Sequence, residues 1–168
     1  MAKKIRKKIQ PKRVVSVSKK IVLIALVTSV LASALYTYLV YWSFARLRPF
    51  STSQAILTTV DMHYAVDIVK KNDDGTYTIS GWIFKGTSPI KVANNHVVLK
   101  DLQTNQYFLA NTEMVQHDDV AKVYTGQKYA GFTSRILQLN PNHTYEIEIY
   151  YQSDGNNILL DTGKILHG

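Results

Sequence analysis

The chain has 168 residues, 20 of them Lys or Arg and 12 Asp or Glu, for a formal net charge of +8, and it contains no cysteine. That length accommodates one folded domain and a small addition; the missing thiols exclude a disulfide framework, a thiolate metal site and a cysteine nucleophile. Nucleic acid is not an expected partner, because the charge is concentrated in one tail: nine cations and no acid fall in residues 1–20, whereas residues 46–168 carry eleven cations and twelve acids.

Residues 21–45 form a run of 25 without a charge. About 20 apolar residues cross a hydrocarbon core of about 30 Å, so residues 21–44 are predicted to be one transmembrane helix. Tyr36, Tyr38, Tyr41 and Trp42 gather toward its C-terminal end, where amphipathic rings make an interfacial belt against membrane lipid. Arg46 and Arg48 follow, and Pro49 stops the helix. The excess of cations before the segment puts the N-terminus in the cytoplasm and the body of the protein on the far side. Residues 1–20 then read as a basic cytoplasmic tail, solvated near anionic headgroups. Ala32-Ser33-Ala34 also has the small-residue pattern of a signal-peptide cleavage site. The apolar run continues well past it, which favours an uncleaved anchor; under either reading the C-terminal domain is extracytoplasmic. Ala25, Ser29, Ser33 and Thr37 recur every four residues and align as one small stripe suited to close helix packing. The stripe predicts self-association or docking onto another membrane protein.

Residues 45–58 read as a linker and residues 59–168 as the folded domain. Met62, Tyr64, Val66 and Ile68 alternate with His63, Ala65, Asp67 and Val69 in strand period. Asn72-Asp73-Asp74-Gly75 then supplies turn chemistry. Residues 76–84 are rich in β-formers, and Gly86, Ser88 and Pro89 break them. Residues 96–102 and 106–111 flank Gln103-Thr104-Asn105 as a hairpin. Residues 118–124 give the one helical hint, with Asp118 placed to cap it. Residues 130–137 form a further strand. Residues 144–152 form the clearest: Tyr145, Ile147, Ile149 and Tyr151 share one face, Glu146 and Glu148 the other. A turn over residues 153–157 leads into the closing strand, 158–166. About seven short strands with intervening turns predict an all-β, antiparallel sandwich.

No nucleophile elbow, phosphate-binding loop or zinc-hydrolase motif is present. No catalytic residue, metal ligand or cofactor is therefore assigned, and the chain reads as a non-enzyme. His117 neighbours Asp118 and Asp119, but successive residues of an extended segment point apart, so no metal is assigned there. Trp82 alternates with Thr78 and Ser80, away from Ile79 and Ile83, which leaves it outward or at a sheet edge unless a loop covers that face, as the commoner arrangement has it, and makes Trp82 core. Trp82, Tyr129 and Phe132 are the candidate contacts for a protein partner or for stacking on sugars.

The order of Ile79-Ser80-Gly81-Trp82, Asp119-Val120-Ala121, Ala130-Gly131-Phe132 and the late strand from Tyr145 to Tyr151 resembles a small immunoglobulin-like β-sandwich of bacterial envelope proteins. That domain is often appended to glycosyltransferases and membrane proteins of surface-polysaccharide synthesis. The resemblance spans about residues 76–166. His117-Asp118 stand where the family usually carries Arg-Pro. The resemblance implies an immunoglobulin-like fold and a bacterial envelope location, which with the N-terminal segment makes the cytoplasmic membrane the expected address, and it carries over no catalytic residue. Gly131 is expected to serve backbone freedom and Phe132 the core. The combined expectation is a single-pass membrane accessory or assembly protein that tethers a sandwich near the bilayer. Its partner would be an envelope protein or a second copy of itself, with a glycan-binding module of polysaccharide synthesis as the alternative.

Overall fold

The computed structural model describes residues 18–44, 46–86, 94–153 and 155–168. Most of the basic tail, the break at Ser88 and Pro89, and Asp154 of the last turn lie outside the described residues. The chain divides into two units, Met1–Val40 and Tyr41–Gly168.

Helix α1, Lys19–Phe44, contains neither Gly nor Pro, and its side chains are apolar on every face. Its residues Lys19–Ser43 make a helix long and apolar enough to cross a membrane. At 1.5 Å per residue it is about 39 Å long, enough to cross a membrane. Ser33 and Thr37 donate their hydroxyls to the carbonyls of Ser29 and Ser33, each at 2.9 Å. Two hydroxyls of the small stripe are thus satisfied inside their own helix.

The second unit is all-β apart from short helices. Its strands are β1 (Arg48–Pro49), β2 (Ile56–Leu57), β3 (Met62–Lys71), β4 (Tyr77–Lys85), β5 (Asn94–Asp101), β6 (Tyr107–Leu109), β7 (Thr112–Val115), β8 (Gly131–Ile136), β9 (Thr144–Ser153) and β10 (Asn156–His167). Helix α2, Asp118–Val123, lies between β7 and β8. One sheet has the order β1-β6-β5-β9-β10-β2 and the other β3-β4-β8-β7. All pairings are antiparallel except β2 on β10, which is parallel. The apolar residues at alternate positions of β4, β5, β8, β9 and β10 close one core between the sheets, with Ile79, Ile83, Leu99, Phe132, Ile147 and Leu160 at its centre.

Three details depart from simple alternation. First, β3 carries a bulge: Val66 pairs Gly81 and Ile68 pairs Ser80, so Asp67 is the extra residue. The bulge shifts the face of every later side chain by one. Met62, Tyr64 and Val66 pack on the core, whereas Ile68 is exposed. Second, Gly81 and Gly131 are glycines for want of space rather than for backbone freedom. Neither has positive φ. A Cβ on Gly81 would lie 2.1 Å from the Ala65 carbonyl oxygen, and one on Gly131 would lie 2.7 Å from both the Val115 carbonyl oxygen and the His117 ring. Gly81→Ala is expected to cost about 1–3 kcal/mol, limited by the freedom of edge strand β3 to shift away. Gly75→Ala meets no atom but sits at φ +79°, so it should cost less, about 1 kcal/mol. Urea unfolding of the two variants checks the order. Third, the N-cap position of α2 is His117, not Asp118; Asp118 and Asp119 fall in the first turn, where carboxylates favour the helix dipole.

The segment read as a linker is part of the sheet. β1 pairs β6 at one edge and β2 pairs β10 at the other. Between them a 3-10 turn, Thr52–Gln54, is capped by Ser51. Phe50 and Ala55 pack on Val98, Tyr150 and Leu159, the outward apolar residues of β5, β9 and β10. The Phe50 and Tyr150 rings are 5.0 Å apart, and the Phe50 N–H donates to the Tyr107 carbonyl at 2.8 Å. This strap explains why β9 is buried on both faces, and why Glu148, expected to face outward, is only 4% exposed.

Candidate functional site

Two surfaces combine concavity with unusual side chains. The first lies on the outer face of the four-stranded sheet. On β4 the inward residues are Tyr77, Ile79 and Ile83, which leaves Trp82 and Phe84 on the other side. Helix α2 presents Val120 there, and Phe84, Val120 and Ala130 close a second small core with Trp82 packed against it. The aromatic rings interlock. Phe84 stacks on His63 with centroids 4.9 Å apart and on Trp82 at 5.6 Å, and Tyr124 leans over Phe84 at 5.0 Å. A cleft of about 300 Å³ opens beside them, lined by His63, Phe84, Val123, Tyr124 and Thr125. Val123 stands at its mouth, 73% exposed.

Charge flanks this apolar patch. His117 Nδ1 is 2.7 Å from Asp119 Oδ1, and its Nε2 is 3.7 Å from Asp67. The His117 hydrogen bond, together with the Val120 N–H, holds the Asp119 carboxyl below the usual carboxylate range. The imidazole is thus engaged with carboxylates on both sides. Among the described residues no group of three or more His, Asp or Glu is arranged to hold a metal ion.

The three sequence-derived contact residues separate here. Trp82 is half-buried on the aromatic face, its ring covered in part by Phe84 and Tyr124. Tyr129 is 53% exposed. Phe132 is fully buried in the main core and has no surface to offer a partner. Sequence reasoning missed His63, Phe84, Val123 and Tyr124. The available signal was that Ile83 and Phe84 are apolar in succession, so both faces of β4 need cover, and that Val120, Val123 and Tyr124 share the i, i+3, i+4 spacing of a helix face.

The second surface lies under the strap. A cleft of about 390 Å³ is lined by Leu57, Thr59, Tyr107, Glu148, Leu159 and Asp161, among others. Glu148 lies directly across from Val98 on β5 and Asp161 on β10. Its Oε2 is buried and has no hydrogen-bond partner. Burial pushes its pKa up to about 7; nearby Lys100 pulls it down, and Glu146 and Asp161 push it further up. Lys100 is committed elsewhere, donating to Glu146 at 2.8 Å.

On α1, Tyr36, Tyr38, Tyr41 and Trp42, the residues expected at a membrane interface, are all exposed, as are Ala25, Ser29, Ser33 and Thr37. The Arg46 guanidinium sits 3.5 Å from the Trp42 ring centroid, a cation–π contact just past the helix end. Comparison with family models, with curated proteins and with solved structures finds no match to this chain.

Proposed function

We propose that this chain is a non-enzymatic, membrane-anchored accessory protein of a bacterial envelope, which holds an immunoglobulin-like sandwich outside the cytoplasmic membrane to bind a protein partner. The N-terminus is cytoplasmic in this reading. Support for the anchor is the apolar span Lys19–Ser43 together with the cations that precede it. Support for the immunoglobulin-like topology is the strand order. Taken in chain order from β3, the sheets β3-β4-β8-β7 and β6-β5-β9-β10 correspond to A-B-E-D and C′-C-F-G. Tyr145, at the start of the F-equivalent strand, adds a tyrosine corner: its hydroxyl oxygen accepts the Asn140 N–H at 3.2 Å, closing the chain reversal before that strand.

The observation that carries the binding role is the aromatic face of His63, Trp82, Phe84 and Tyr124 with Val123 exposed at its cleft. Aromatic anchors in a partly desolvated pocket are the pattern of interface hot spots. Tethering contributes by raising the local concentration of the sandwich for any partner in the same membrane. In sequence, three residues separate α1 from β1, so the slack is short.

The test is a photo-crosslinking side chain placed at Val123 in the full chain, with the exposed turn residue Thr104 as control. A protein adduct of defined mass from position 123 and none from position 104 is the expected result. An adduct of twice the chain mass would make the partner a second copy. Labelled polysaccharide with no protein adduct would replace this reading with a glycan-binding module, and absence of any adduct at 123 would overturn the aromatic face as the site.

A further inference from the structure

We infer that the cleft under the strap is a binding site for a primary ammonium group carried on a short apolar chain, with Glu148 as its counter-ion. Four observations converge on it. Glu148 is more than nine-tenths buried, lines the cleft, and keeps one carboxylate oxygen without a partner. The register gives it no cation opposite: its cross-strand neighbours are Val98 and Asp161. Two carboxylates directly across a strand pair repel, and neither is opposite a cation. Lys100 also lines the cleft, but it lies across from Glu146 and is paired with that carboxylate at 2.8 Å, which leaves the Glu148 oxygen unpartnered.

The ligand chemistry follows from the lining. An ammonium head offers three N–H donors and no acceptor. Glu148, Asp161 and the Thr59 hydroxyl are acceptors on three different segments around the cleft. Leu57, Leu159 and Tyr107 supply apolar walls for a short alkyl chain; the Tyr107 ring face already has the Lys100 ammonium 6.0 Å from its centroid. Among the described residues no group of three or more His, Asp or Glu is arranged to hold a metal ion, so a divalent metal is poorly served here. The groups facing Glu148 that carry or can carry charge are Lys100 from β5, Tyr107 from β6, Glu146 on β9 and Asp161 from β10; the strap contributes only Leu57, Thr58 and Thr59.

The probe is n-butylammonium chloride, added to the full-length chain in nonionic detergent, with n-butanol and equimolar sodium chloride as controls. The expected result is a saturable rise in melting temperature with half-saturation at millimolar concentration, absent with butanol and with sodium chloride. Glu148→Gln should weaken binding at least tenfold, and Asp161→Asn by a smaller factor. Ligand and proton compete for one carboxylate, so affinity should also fall roughly tenfold between about pH 8 and pH 6. Equal stabilisation by n-butanol, unchanged affinity in Glu148→Gln, or affinity independent of pH would each overturn the assignment. Because this cleft and the aromatic face lie on opposite sheets, failure here leaves the crosslinking result at Val123 unaffected.

Discussion

Between about pH 5 and pH 8, the β-domain should lose about 2–3 kcal/mol of stability relative to its own Glu148→Gln variant. The cause is local. Burial under the strap, with Glu146 and Asp161 adding repulsion, raises the Glu148 pKa from an ordinary 4.5 to about 7 despite the pull of Lys100. A carboxyl whose folded value lies above its unfolded one holds its proton more tightly when folded. Its contribution is whole below about 4.5 and is lost as pH rises through about 7. Glutamine keeps the shape and never ionises, so the gap between the two proteins isolates this one group.

The comparison is needed because another side chain runs the other way. His96, on the same face, has its pKa lowered by burial and by the nearby Arg48. Its contribution is present above the ordinary imidazole value and is lost as pH falls. The wild-type profile alone therefore sums opposite slopes, and its maximum identifies neither residue. The carboxyls of Asp74, Asp101 and Asp119 are held below the usual range and affect only more acidic solutions. Thermal unfolding of both full-length chains in detergent should show a gap in melting temperature that grows by on the order of 10 °C across the window. A gap that stays constant would mean that Glu148 reaches water in solution and that the strap does not seal it.

Most of the strands were legible because their alternation is local. Tyr145, Ile147, Ile149 and Tyr151 state one buried face, and the turns at Asn72–Gly75 and Gln103–Asn105 carry their own chemistry. What stayed hidden depends on contacts distant in sequence. β1 and β2 are two residues each, too short for any period, and exist because β6 and β10 offer free edges. Glu148 reads as solvent-facing because nothing within its own strand announces a cover; the strap residues around it are Leu57, Thr58 and Thr59, about ninety residues earlier, while Phe50 and Ala55 cover its neighbours Tyr150, Val98 and Leu159. Ile68 reads as core because a bulge at Asp67 cannot be seen without the partner strand. The same holds for the aromatic face. Nothing near Trp82 in sequence shows its surroundings: Tyr124 reaches its ring from the end of α2, and His63 of β3 joins the face through Phe84 and Tyr124. Phe132, expected to serve the core, does so; its parallel reading as a contact fails because its side chain takes the inner face of β8.

Removing the strap should damage the domain more than any single substitution considered above. A chain that begins at residue 46 retains both edge strands; one that begins at residue 60 loses them. The shorter chain exposes Val98, Tyr150 and Leu159, which Phe50 and Ala55 otherwise cover. At about 1.5–3 kcal/mol for each large apolar side chain fully returned to water, the loss is on the order of 5 kcal/mol, a large part of a typical domain's stability. It also bares two edges, β6 and the twelve-residue β10, whose unpaired backbone groups invite pairing with other chains. The expected result is a well-behaved monomer for the longer chain and aggregation with loss of protease resistance for the shorter one, read by size-exclusion chromatography and limited proteolysis. Phe50→Ala in the full chain offers a graded version, costing about 1–2 kcal/mol because Phe50 is only half-buried. If the shorter chain folds as stably as the longer, residues 46–59 are a linker after all, and the enclosed environment of Glu148, with the ammonium site built on it, falls with the strap.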